Sequence, residues 1–318
     1  MGSFLGVADV RFLINANTDH SDEFDDHPSL RNNTFDAAEP LLVDWDNDGV
    51  FEPRATTSAT GAAVFEVLPA FDRNGDGVLS LEEGRVIAVG GIDIATRLPV
   101  EVSFTAPVAA SGQTIVTPLT TLATVLMTEH GLTAENAAVA IRGHFGLAAV
   151  DIFGADPLKS VQLGDAGAAE RFAAGAKLHD TVQQIARLLA TAGGGSVSNA
   201  AGAAFLAIAA RIVAGDPADV TSQSDIEALL RDVLTATATA LDNATTSAAA
   251  EVIAAGNQQI DAIPPDATDF ITRIKAVQQT AQRPVADDLT SAGLRLFVRR
   301  RPAKQQHRRG ACRADHIR

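Results

Sequence analysis

"TPLTTLATVLMTEHG", Thr117 to Gly131, is the stretch at which the chain changes texture. Thr117 suits a helix N-cap, Pro118 suits the first helical position, and Gly131 suits the left-handed residue that closes a helix. Upstream, residues 1–112 are rich in Asp, Asn and Gly and hold short β-type runs, "VRFLI", "AAVFEV", "RVIAV" and "VEVSF", set apart by turn residues. Downstream, residues 113–292 are Ala-rich, with apolar side chains three and four positions apart. The expected fold class is α+β: a small antiparallel β domain over 1–112, then an Ala-rich antiparallel helical bundle over 113–292. Residues 293–318 read as a basic, disordered tail.

Within the bundle, Leu178, Val182, Ile185 and Leu189 share one helical face of "KLHDTVQQIARLLA". In "SDIEALLRDVLTATATAL", Ser224 and Glu227 read as a capping box, with Ile226, Leu229, Leu230 and Val233 as the buried stripe. Phe270, Ile271, Ile274 and Val277 repeat the pattern after the Pro264-Pro265 break. Short connections with Gly or Pro predict antiparallel neighbours rather than one long coiled coil. His179-Asp180 reads as a surface pair on a helix, and His130 and His144 fall near helix C-termini, where an imidazole interacts well with the helix dipole.

Charge is unevenly spread over the 318 residues, whose formal net charge is -14. Residues 1–101 carry 19 Asp/Glu against 6 Arg, whereas residues 299–318 carry 8 Lys/Arg against one Asp. An acidic surface repels phosphate backbones, so nucleic acid is not an expected partner. The basic end reads either as an arm for an anionic partner or as out-of-frame translation of a GC-rich gene. Cys312 is the only cysteine, which excludes an intrachain disulfide. The longest apolar run, "AAGAAFLAIAA", stops at Arg211 and reads as a buried helix rather than a membrane span. The start "MGSFLGVADV" shows no basic region followed by an apolar run, and hence no visible signal peptide.

Dense carboxylates suit hard divalent cations, and "FDRNGDGVLSLEEG", Phe71 to Gly84, spaces them for one. Counted from Asp72, the third residue is Asn74, the fifth Asp76, the sixth Gly77, the seventh Val78, the ninth Ser80 and the twelfth Glu83. That is the spacing of an EF-hand calcium loop. Asp72, Asn74 and Asp76 present side-chain oxygens, Gly77 permits the sharp turn, and Val78 supplies its carbonyl. Ser80 acts through water and Glu83 closes the sphere with two oxygens. The competing reading is an Asx-turn hairpin. Because "VFEVLPAF" before the loop looks β-like, a paired-helix sensor is not expected.

"DWDNDGVFEPRA" offers Asp44, Asp46, Asp48 and Glu52 as a weaker second site, lacking a carboxylate at the twelfth position, Ala55. Asn15, Asn17, Asp36 and Glu39 form a discontinuous third candidate around an acidic insertion. A phosphate-cradling Gly loop and a Gly-x-Ser-x-Gly elbow are both absent, Tyr is missing and Trp45 is the sole Trp. Catalysis is not expected.

"NNTFDAAEP", then Gly90-Gly91-Ile92-Asp93, then Thr117 to Leu122, follow in the order of a known module. In this order the chain resembles a calcium-binding, adhesin-like module of large secreted or surface proteins of cyanobacteria and marine proteobacteria. The likeness covers roughly residues 7–292 and is sharpest between 72 and 126. It implies a non-catalytic structural or adhesive role outside the cell, with Ca2+ as the bound ion and a protein or surface as the partner. The alternative is a dockerin-like module that binds a protein through its calcium loops.

Overall fold

The helices start where a side-chain oxygen can take up an amide that the helix itself leaves unpaired. The oxygens of Thr117, Thr133, Asp156, Asp165, Ser196, Ser222 and Asp242 do this for α1 (Pro118–His130), α2 (Ala134–Phe145), α3 (Pro157–Gln162), α4 (Ala166–Thr191), α5 (Val197–Ala214), α6 (Gln223–Ala236) and α7 (Asn243–Asp261). A last helix, α8 (Phe270–Val277), follows the Pro264-Pro265 break. Thr117 and Gly131 bound α1 as expected, Gly131 with φ of 65°. The cap of α6 is Ser222, two residues before the expected Ser224, with its oxygen accepting from Asp225 N.

The computed structural model describes residues 101–107, 114–147, 151–153, 156–193 and 195–279, and upstream the backbone of short strands between residues 7 and 93. Those strands are β1 (Val7–Ala8), β2 (Arg11–Asn15), β3 (Ala55–Thr56), β4 (Arg85–Val89) and β5 (Ile92–Asp93); β6 (Phe104–Pro107) leads into the helices. β1 pairs with β5, while the other four lie in the order β3-β2-β4-β6, all antiparallel. In β2 and β4, Asn15 pairs with Arg85 and Arg11 with Val89; in β4 and β6, Arg85 pairs with Pro107.

The α+β class with a small antiparallel β domain is overturned. Helix makes up 70% of the described residues, in eight helices of 6 to 26 residues, against strands of at most 5 residues. The physical reason lies in the core. Ala88, Val102, Phe104 and Ala106 belong to the same buried cluster as Leu119, Leu122, Leu178 and Ile185. Strands this short cannot bury a core alone, and they add to a helical one.

α4 is the centre of that core and packs against α1, α3, α5, α7 and α8. Leu178, Val182, Ile185 and Leu189 are all fully buried, and so are Ala168, Ala176 and Ala186 on other faces. On α6, Ile226, Leu229, Leu230 and Val233 are buried; on α8, Phe270 and Ile274 are buried while Ile271 and Val277 are partly so. Phe270 meets Phe172 of α4 edge to face, ring centroids 6.5 Å apart. α5 buries Ala201, Ala204, Phe205 and Ile208 on one face only, leaving Leu206 and Val213 exposed. It is the one described helix long and apolar enough to cross a membrane, yet it packs against α1, α2, α4 and α6.

Candidate functional site

The seam between β6 and the helices gathers a cluster of buried polar groups. β6 is the last strand of its sheet, so the polar groups on its free side need partners from elsewhere. α1 provides them. Thr105 N donates to Thr121 Oγ1 at 2.9 Å, so this side of Thr105 faces away from β4. Thr121 Oγ1 lies 2.8 Å from Thr117 O and 3.2 Å from Thr105 O; Thr120 Oγ1 lies 3.0 Å and 3.2 Å from the same two carbonyls. Two hydroxyl protons thus serve two carbonyl oxygens. Thr120 also completes the cap of α1: its N–H donates to Thr117 Oγ1 at 3.0 Å, and Thr117 N donates to Thr120 Oγ1 at 2.7 Å. The "TPLTTL" stretch is therefore a device for starting a helix and closing a sheet edge with the same hydroxyls.

On its other flank this segment runs along α4. Phe104 meets His179 edge on, ring centroids 5.3 Å apart at 69°, and Glu101 Oε2 accepts from Arg187 Nε at 2.6 Å. The two contacts run in opposite chain senses along α4, with Val102, at a bend, buried between them.

His179 is 6% exposed, and neither ring nitrogen has a hydrogen-bond partner among the described residues. Asp180 Oδ1 lies 3.7 Å from Nδ1, beyond hydrogen-bond range. The imidazole pKa is lowered to about 4, chiefly by burial and next by Arg187, against the pull of Glu101. The ring is therefore neutral at pH 7, and the Asp180 contact is not an ion pair. Asp180 accepts instead from Gln278 Nε2 at 3.2 Å. Around α4, Asn257 Nδ2 of α7 donates to Thr181 Oγ1 and to Val220 O, both at 2.7 Å. Gln184 is 2% exposed with neither amide atom partnered among the described residues. Arg171 donates from Nη1 to Asp151 O, and its pKa is lowered by burial against the pull of Asp151, Asp165 and Asp156.

The surface reading of His179-Asp180 is thus corrected: both side chains are buried. The local sequence did not signal this, because polar residues such as Glu170, Lys177, Gln183 and Arg187 lie on several sides of α4, and its packing against five other helices buries the pair. His130 and His144 do sit in last turns, and His144 Nε2 lies 3.1 Å from Ala218 O.

Asp72, Asn74, Asp76, Val78, Ser80 and Glu83 lie outside the described residues, as do Asp44, Asp46, Asp48, Glu52, Asn17, Asp36 and Glu39. Asn15 closes β2 opposite Arg85. Among the described residues, three or more His, Cys, Asp or Glu nowhere gather into a metal-sized group. Comparison with family models, curated proteins and solved structures gave no match. The described seam can hold a strand on a bundle.

Proposed function

We propose that the chain is a non-catalytic calcium-binding module of an extracellular or cell-surface protein, with a structural or adhesive role. One observation carries it: the Asp72, Asn74, Asp76, Val78, Ser80, Glu83 spacing around Gly77. Chain connectivity supports it. Covalent connection leads the stretch ending at Glu83 into the Arg85 end of β4, and the stretch ending at Glu52 into the Ala55 end of β3. The Arg85 end lies opposite Asn15, where β2 finishes, and the Ala55 end lies opposite Phe12.

The exit into a strand also favours a staple over a switch, because calcium sensors work by opening a pair of helices. β4 is paired on both sides, to β2 and to β6, so order imposed at Arg85 is handed on to β6 and the helices. The extracellular placement rests on the resemblance of "NNTFDAAEP", Gly90 to Asp93 and Thr117 to Leu122 to surface modules.

With calcium at about 1 mM and a dissociation constant of about 0.1 mM, one site adds about 1.4 kcal/mol of stability. Calorimetry and melting of the whole chain test the proposal. Calcium is expected to bind with measurable heat and raise the melting temperature, and Asp76→Ala or Glu83→Gln to remove most of both effects. Absence of heat, with equal melting curves in calcium and in chelator, would overturn it.

A further inference from the structure

We infer that His179 is a proton-operated latch: gaining a proton, it releases the Glu101–Phe104 segment, and β6 with it, from α4. Three observations carry this. Both ring nitrogens are buried without a partner among the described residues, so an imidazolium there has no acceptor within hydrogen-bond range. The ring's neighbour is the edge-on Phe104, on the very strand that joins sheet to bundle. The Arg187–Glu101 pair clasps the other end of the same segment, so one opening frees the imidazole and unpairs the clasp together.

Other charges near the latch are few. α4 itself contributes Asp180 and Arg187, and the chain before β6 contributes Glu101. The helices packed on α4 carry Glu129 and His130 in the last turn of α1, Lys159 on α3, Arg211 on α5, Glu251 and Asp261 on α7, and Arg273 and Lys275 on α8. None of these is among the charges that bear on the ring.

The docked ring titrates at about 4, below the ordinary value near 6.5 for an undocked one. Between those values the undocked state binds more protons, so docking is intact above pH 6.5 and weakens as pH falls towards 4. From pH 7 to pH 5 the docking equilibrium is expected to fall about 20-fold.

The test is hydrogen exchange on the full chain in chelator, so that calcium plays no part. The protection factor of the Thr105 amide is expected to drop about 20-fold between pH 7 and pH 5, while that of Ile253 in α7 stays level. His179→Gln, neutral at every pH, is expected to flatten the Thr105 response. Equal losses in both proteins would assign the effect to carboxylates and overturn the latch. Should the variant fail to fold, nuclear magnetic resonance titration of the unaltered chain decides. A His179 ring titrating between 6 and 7 with Thr105 still protected overturns the inference, and a ring that gains its proton only as Thr105 loses protection supports it.

Discussion

Replacing Thr121 by Val separates the hydrogen-bonding part of the β6–α1 seam from its packing. The two side chains have nearly the same shape and both branch at Cβ, so helix propensity and volume barely change. What disappears is the acceptor for Thr105 N at 2.9 Å and one of the two hydroxyl protons shared by Thr117 O and Thr105 O. Thr105 is 8% exposed and belongs to the last strand of its sheet, so water cannot easily replace the lost partner. A buried donor left unpaired costs about 1–3 kcal/mol. A loss of about 2 kcal/mol, corresponding to a drop of several degrees in melting temperature, is the expected result. Urea denaturation measures it, and exchange of the Thr105 amide locates it. Thr121→Ser retains the hydroxyl and should recover most of the loss. Thr128→Val is the control, because Thr128 Oγ1 only back-bonds to Thr124 O at 3.1 Å; it should stay within about 0.5 kcal/mol of the parent. If Thr121→Val proved as stable as the parent, with Thr105 still protected, the hydroxyl closure of the sheet edge would be refuted.

Asn257→Leu strands the Val220 carbonyl and removes two 2.7 Å bonds at a fully buried site, so denaturation should show a loss of about 2–3 kcal/mol. Asp242→Ala removes the oxygen that accepts from Thr245 N at 2.7 Å at the start of α7, with an expected cost of about 1 kcal/mol by the same measurement. Asp232→Asn breaks the 2.7 Å pair with Arg211, but the Asp232 side chain is 48% exposed, so its melting curve should move by less than about 0.5 kcal/mol equivalent.

Helix boundaries were the most legible part of the fold because their chemistry is local. Thr117, Pro118 and Gly131 act within one turn of α1, and all three could be placed from sequence alone. The start of α6 was missed by two residues, because Ser222 and Ser224 can both offer a hydroxyl and only the path of the chain selects one. Stripes such as Leu178, Val182, Ile185 and Leu189 were legible because burial imposes the period of the helix. The strand in "VEVSF" was placed too early: it runs Phe104–Pro107, in register with Arg85–Ala88. Alternation in sequence marks strand-forming residues without saying where the partner begins and ends.

Alone, the sequence determined the cap of α1, the apolar faces and the oxygen spacing at Asp72 to Glu83, since each is an interaction between residues a few positions apart. Tertiary structure alone decided that the short strands join a helical core, that Thr120 and Thr121 close the edge of β6, and that His179 lies buried against Phe104. Those contacts join residues 15 to 75 positions apart in the chain, and no local pattern encodes which distant partner will arrive.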